Sequence, residues 1–251
     1  MSDRHAVVTG GGSGIGRAVA LALADKGILV TVMGRRLEPL QALAAEHDNV
    51  RPRTCDVTDA AEVARAFAGA ADDNGPVGIL VNNAGAAPTA PFHKLTAEDW
   101  RQVMALNLDG VFHCTRQVLG DMREAGWGRI VSIASTAAQR GYAYVGAYCA
   151  AKHGVLGLTR ALALETATRG ITVNAVCPGY TDTEIVRQGV RNIVDKTGRS
   201  EAEALRQFTD TNPQGRLIQP EEVAATVLWL CADSSASITG QAISVSGGEV
   251  M

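Results

Sequence analysis

Tyr148 and Lys152 stand four residues apart in a stretch with helical spacing, which puts them on one helix face, one turn apart. An ammonium beside a phenol favours the phenolate and draws its pKa toward working pH. A tyrosine so placed is a general acid for ketone reduction and a general base for alcohol oxidation. Tyr142, Tyr144 and Tyr180 have no lysine four residues on. A Tyr/Lys pair also decorates many plain amphipathic helices, so the weight falls on its company. Ser135 closes an apolar run thirteen residues earlier, where a hydroxyl could donate to a developing alkoxide. Asn107 lies in the long helical stretch before it and could hold a water bonded to Lys152, completing a proton path. A Ser-His-Asp hydrolase is the rival chemistry. It needs a GxSxG elbow, and Ser135 sits instead in Ile133-Ala134-Ser135-Thr136-Ala137. His153 adjoins Lys152 in sequence but faces another way on a helix, and reads as structural.

The elements that must hold these groups alternate along the chain. Apolar, β-branched runs at 6–8, 28–33, 50–54, 79–81, 129–133, 171–176 and 242–245 read as seven buried strands. Helical spacing fills 15–26, 37–46, 59–72, 96–124, 147–169 and 220–232, the last opened by Pro220. Strands buried on both faces and separated by helices predict an α/β fold, a doubly wound parallel sheet of seven strands with helices on both faces. Its ligand crevice then lies at the carboxyl ends of the strands. Residues 181–219 interrupt the alternation with Gly189, Gly198, Pro213, Gly215 and balanced charges. They read as an excursion over the crevice, either a substrate lid or a solvated helical insertion.

The strand ends carry groups suited to a dinucleotide. Thr9-Gly10-Gly11-Gly12-Ser13-Gly14-Ile15-Gly16 follows the first strand and opens the first helix. Glycines allow a tight turn and close approach of phosphate, and the helix N-terminus offers free N–H groups. The spacing of Gly10, Gly14 and Gly16 is GxxxGxG, not GxGxxG, and no P-loop Lys-Ser/Thr follows. The second strand ends Gly34-Arg35-Arg36. An NAD-selective enzyme usually has a carboxylate near here, whereas a guanidinium pair suits a 2′-phosphate. NADP(H) is therefore favoured, with NAD(H) open if the arginines merely face solvent and cap the next helix. Asp56 and Val57 follow the third strand. Asp56 could meet an adenine amino group or cap the following helix, though Asp59 is better placed to cap. Asn82-Asn83-Ala84-Gly85 ends the fourth strand, small enough at Ala84 and Gly85 for a ribose. Pro178-Gly179-Tyr180-Thr181-Asp182-Thr183 follows the sixth, where Thr181 and Thr183 can meet a carboxamide or phosphate and Tyr180 faces the substrate side.

Composition narrows the alternatives. The chain has 251 residues, 46% hydrophobic and 20% charged, with a net charge of -3, enough for one sizeable domain. That charge leaves no footprint for nucleic acid or an anionic membrane. Five scattered cysteines without a CxxC or Cys/His cluster point away from a metal site and toward a reducing compartment. No apolar run reaches the ~20 residues of a membrane span. A strand is entered within a few residues of the start, so no targeting segment is expected, and a cytoplasmic location is.

In order and spacing, these motifs resemble the short-chain dehydrogenase/reductase family across almost the whole chain. The resemblance rests on the turn at 9–16, Asp56, the 82–85 segment, Asn107, Ser135, Tyr148/Lys152 and Pro178-Gly179, and Gly247-Gly248 looks like the family's end. It implies one Rossmann domain and a tetrad of Asn107, Ser135, Tyr148 and Lys152, the last two also touching cofactor. It further implies hydride transfer at nicotinamide C4, and a homotetramer packed through the helices at 96–124 and 147–169. The ending 239–248 resembles 3-oxoacyl thioester reductases and hydroxyacyl-CoA dehydrogenases. Bacterial 3-hydroxybutyrate dehydrogenases share a lid of similar length, but place polar carboxylate-holding side chains between serine and tyrosine. Here Ala137 and Val145 stand in that stretch, beside Gln139 and Arg140. The expected substrate is thus an oxoacyl thioester or hydrophobic ketone, with a small hydroxy acid as the alternative. A non-catalytic cofactor-binding sensor or scaffold is the reading from another class.

Overall fold

The computed structural model describes residues 4–251. Its strands are β1 (His5–Thr9), β2 (Leu29–Gly34), β3 (Val50–Thr54), β4 (Val77–Asn82), β5 (Gly128–Ile133), β6 (Ile171–Pro178) and β7 (Ala242–Val245). They form one seven-stranded sheet in the order β3-β2-β1-β4-β5-β6-β7, with every pairing parallel. The α/β, doubly wound architecture expected from the sequence is what the chain adopts. β1, β5 and β6 are buried along their whole length, while the edge strands β3 and β7 are only partly covered. That explains why the central strands read as unbroken apolar runs.

Helices α1 (Gly14–Ala24), α2 (Leu37–Glu46) and α9 (Pro220–Cys231) cover one face, through Val19, Leu23, Leu40, Leu43, Val223 and Val227. α3 (Ala60–Asn74), α5 (Gly110–Ala125) and α6 (Gly146–Thr166) cover the other, with Phe67, Val118 and Met122 in its core. The reversal of strand order falls between β1 and β4, so the glycine turn after β1 and the segment after β4 become neighbours.

The stretch at 96–124 is not one uniform helix. α4 (Ala97–Met104) begins at a capping box made by Thr96 and Asp99 and gives way to a π-helical turn, Ala105–Asp109, before α5. Such a wide turn inserts one residue into the helical register and commonly marks a functional position. Asn107 sits at its centre and is fully buried.

Residues 181–219 hold two helices, α7 (Glu184–Thr197) and α8 (Glu201–Thr209). A single parallel bridge between Thr181 and Ile218 closes the base of the excursion. Only Val186, Val190 and Ala204 in these helices are buried, so the pair leans on the domain through a narrow apolar strip.

Candidate active site

The turn after β1 is built around contacts that tolerate no side chain. A Cβ on Gly16 would come within 2.3 Å of the Gly10 carbonyl oxygen and 2.4 Å of the Asn83 amide nitrogen. Gly10 and Gly14 lie at φ +62° and +52°, the left-handed region glycine enters without strain. Thr9 completes the knot: its hydroxyl accepts the backbone N–H groups of Asn83 (3.0 Å) and Ala84 (3.1 Å). In return the Asn83 side chain donates to the carbonyls of Thr9 (3.0 Å) and Gly10 (3.1 Å). Asn83 thus clips the turn from within, and Thr9, absent from the expected site residues, is its partner. The T of the TGxxxGxG pattern was the available signal.

The end of α1 is left open. Ser13, at its N-cap, makes no side-chain cap, and no acidic residue stands in the first turn. Unpaired N–H groups at a helix N-terminus suit an anion. Thr183 borders the same place, its methyl 3.1 Å from where a Gly14 Cβ would lie, while Ile15 is half-buried behind it. Arg35 and Arg36 are exposed, and among the described residues neither forms an ion pair. Arg36 occupies the N-cap position of α2 but its side chain caps nothing. Asp56 accepts from the N–H and hydroxyl of Thr58, both to one oxygen, so its other oxygen is free. The capping role belongs to Asp59, which accepts from Ala61 and Glu62. Val57 is buried against Gly110. An uncapped helix end, a cradle a Cβ would fill and two unpaired guanidiniums together fit a phosphorylated dinucleotide.

The reacting groups gather at the carboxyl ends of β4, β5 and β6. Tyr148 lies in the first turn of α6 beside Ser135, and Lys152 lies one turn on with its ammonium 5.6 Å from the phenol ring centroid. Lys152 is buried and donates to the Ile133 carbonyl at 2.8 Å. Burial holds its pKa down, at about 8. Burial also pushes the Tyr148 phenol up to about 12, with the Ser135 hydroxyl pulling the other way. This differs from the expected downward shift: desolvation of the phenolate is the largest effect, and the ammonium is turned to the Ile133 carbonyl. Asn107 spends its amide on the loop after β4. Its Nδ2 donates to the carbonyls of Ala86 and Val103, each at 3.0 Å, and its Oδ1 accepts from Ala86 N–H at 3.3 Å. Both amide hydrogens are taken, so a water near Lys152 could use only acceptors of Asn107. A Cβ on Gly85 would lie 2.8 Å from Asn107 Oδ1 and 3.7 Å from Lys152 Nζ, so Gly85 keeps this passage open.

The expected substrate residues divide. Ala137 is buried and its N–H donates to the Ser135 hydroxyl at 3.1 Å, so it orients Ser135 and presents no surface. Val145 is half-buried at the N-cap of α6. The Tyr180 ring meets Phe208 of α8 edge-on, with centroids 5.0 Å apart, and so joins the crevice to the excursion. Thr181 donates to the Gly179 carbonyl next to it, and Pro178 still pairs with Val245 in the sheet. Sequence reasoning missed Thr136, Tyr142 and Glu249. The Tyr142 hydroxyl donates to Glu249 at 2.6 Å and shares a 2.7 Å hydrogen bond with Thr136. Nothing local in the sequence joins Glu249 to Tyr142, 107 residues away. His153 is exposed and hydrogen-bonds the carbonyl of Cys149, a structural role as expected.

Fold and site together define a dinucleotide-type α/β domain with a phenol, a hydroxyl and an ammonium at its crevice. The short chain dehydrogenase family pattern matches residues 4–193, and the chain belongs to that family. It is similar to a putative ketoacyl reductase of Streptomyces coelicolor, 42% identical over 97% of this chain and 95% of that one. It is also similar to an acetoacetyl-CoA reductase of Rhizobium meliloti, 41% identical over 98% of both chains. Among solved structures, a variant of actinorhodin polyketide ketoreductase with NADPH superposes with a TM-score of 0.94 at 42% identity, over 98% of this chain and 97% of that one. The protein is an oxidoreductase interconverting a ketone and a secondary alcohol, and the sensor or scaffold reading falls away.

Proposed function

We propose that this protein is an NADPH-dependent ketoreductase acting on a 3-oxoacyl thioester or a hydrophobic ketone. The observation that carries the reading is the setting of Tyr148, beside Ser135 and one turn from a buried Lys152. A phenol held protonated at neutral pH is in the correct state to give its proton to a carbonyl oxygen. Ser135, oriented by the Ala137 N–H, donates a hydrogen bond to the same oxygen as negative charge develops there. Lys152 restores the proton from behind, and Asn107 holds the wall it works against. The nicotinamide cofactor, when bound, supplies the hydride. The open end of α1 with Gly10, Ser13, Gly14, Ile15 and Gly16 would hold its pyrophosphate. Asp56 and Val57 would serve the adenine, and Asn83, Ala84 and Gly85 the ribose. Pro178, Gly179, Thr181 and Thr183 would serve the carboxamide and phosphate.

Arg35 and Arg36 favour a 2′-phosphate, in keeping with NADPH in the similar ketoreductase. Arg35→Ser is expected to raise the KM for NADPH about tenfold or more while moving that for NADH little; an equal change in both would remove Arg35 as the source of the preference. The substrate class is supported by relatives named for ketoacyl and acetoacetyl-CoA reduction and by the half-buried Val145 at the crevice. Oxidation of NADPH and NADH with a panel of 3-oxoacyl thioesters, aryl ketones and acetoacetate tests it. Strong turnover of acetoacetate alone would reverse the order in favour of a hydroxy-acid dehydrogenase.

Residues 181–219 act as a substrate lid in this reading, supported by the contact of Phe208 with Tyr180. Assembly into a homotetramer through α4, α5 and α6 is supported by exposed Phe112 and Leu164 on those helices, and light scattering on the purified protein reads it directly. Five free, buried cysteines accord with a reducing, cytoplasmic setting.

A further inference from the structure

The last residues of the chain return to the crevice. After β7 they pass Ser246 and bring Glu249 between two of its walls. On one side Glu249 Oε1 accepts the Tyr142 hydroxyl, which also meets Thr136, the residue directly after Ser135. On the other side Glu249 Oε2 would lie 3.0 Å from a Cβ on Gly179, in the turn that follows β6. Ser244 adds a second stitch, donating to the Gln139 side chain at 3.0 Å. Glu249 is half-buried, and no cation among the described residues comes within ion-pair distance of it. The nearby cation is Arg140, an exposed side chain whose guanidinium lies 4.8 Å from the Tyr142 ring centroid. Burial first, and then the charge of Glu249, raises the Tyr180 phenol, with Arg140 opposing. The field of this carboxylate therefore reaches the substrate side.

We propose that Glu249 is a specificity-determining residue, whose carboxylate selects substrates that are neutral next to the reacting ketone over those with a free carboxylate there. The inference rests on the ketoreductase reading above. In a 3-oxo compound the C1 group is two bonds from the reacting carbonyl. In this proposal C1 of a substrate bound at Ser135 and Tyr148 lies on the side of the walls that Glu249 joins, one of which begins at the residue directly after Ser135. A thioester or ester presents no charge there. A free acid presents an anion to an anion in a partly desolvated place, where such repulsion is strong. The same carboxylate also does a structural task, which Tyr142 shares, so charge and tethering must be separated.

The experiment compares acetoacetate with ethyl acetoacetate, a pair differing chiefly in charge at C1, by kcat/KM with NADPH. Glu249→Gln keeps an oxygen acceptor for Tyr142 and removes the charge. It is expected to raise the acid-to-ester ratio of kcat/KM about tenfold, mainly through a lower KM for acetoacetate. Tyr142→Phe removes the tether and keeps the charge, and should leave that ratio near the wild-type value. A ratio unmoved in Glu249→Gln, or raised equally in Tyr142→Phe, overturns the role of Glu249. A wild-type protein that turns over the ester well but is blind to both substitutions leaves the ketoreductase reading standing and removes only this inference. Failure of the wild type on every neutral 3-oxo compound removes both.

Discussion

The cofactor side of the crevice and the substrate side are built on opposite plans. Around the glycine turn, backbone meets backbone: Gly16 has no room for a methyl group, and four hydrogen bonds tie Thr9 and Gly10 to Asn83 and Ala84 after β4. Across the crevice, residues 181–219 lean on a narrow strip of Val186, Val190 and Ala204 and the edge-on contact of Phe208 with Tyr180, while their bridge and their exposed ion pairs, Arg187 with Asp182 and Arg191 with Glu184, are internal to the segment. A surface that must accept one invariant ligand can be rigid and over-determined. A surface that must admit, enclose and release a variable one is better drawn from weakly held structure.

Four measurements would break or sharpen this contrast. The largest effect belongs where both sides meet. Tyr148→Phe is expected to lower turnover by about 10²–10⁴-fold while NADPH still binds, as fluorescence titration can follow. The phenol's raised pKa adds a directional test. Ketone reduction, which uses the protonated phenol, should hold level through neutral pH. Alcohol oxidation, which needs the phenolate, should climb as pH rises.

Next comes a matched pair of glycines. Gly16→Ala forces a methyl group onto a carbonyl oxygen 2.3 Å away and should lower Tm by about 5 °C or more, together with a loss of cofactor affinity. Gly189→Ala meets only the tip of the Phe208 ring, at 2.9 Å, which can swing aside, and should cost less on both counts. Equal losses would erase the distinction between the two sides.

A smaller effect is carried by Lys152. Its folded pKa of about 8 lies below the ordinary lysine value of 10.5, so between those values the unfolded chain binds more protons than the native one. Stability from this group therefore rises with pH across that window and is at its lowest below it. Melting curves at stepped pH should show the wild type gaining on Lys152→Met over that range, and parallel curves would refute the burial argument. Smallest of all, Arg187→Ala breaks an exposed ion pair with Asp182 and should leave Tm unchanged within error.

Where backbone geometry dictates residue type, the sequence was readable. The glycines of the turn, Pro220 at the start of α9 and the β-branched central strands each have one physical reading, and all appear where the spacing put them. Asn107 was readable as a site residue, but its π turn was not, since one inserted residue leaves the apolar periodicity nearly intact. The Tyr148 shift went the other way because the spacing of Tyr148 and Lys152 fixes proximity and says nothing of burial. Ala137 was named for its neighbourhood, yet it faces inward. Glu249 carries no signal in the sequence because its partners, Tyr142 and Gly179, are joined to it only by the folded sheet. Substrate-side chemistry is made of such long-range meetings.

The return of the chain's end to the crevice has a consequence for how the protein is made. β7 pairs with β6 across an intervening segment that includes α7 and α8, and closing so long a loop carries an entropic cost. Synthesis runs from the other end, and β1 through β4, with their glycine knot, emerge first. The glycine turn and its Asn83 clip can form while Tyr148, Lys152, the turn after β6, the final strand and Glu249 are all still missing. On the ribosome, this enzyme acquires the glycine turn that opens its crevice well before it acquires the walls that close it.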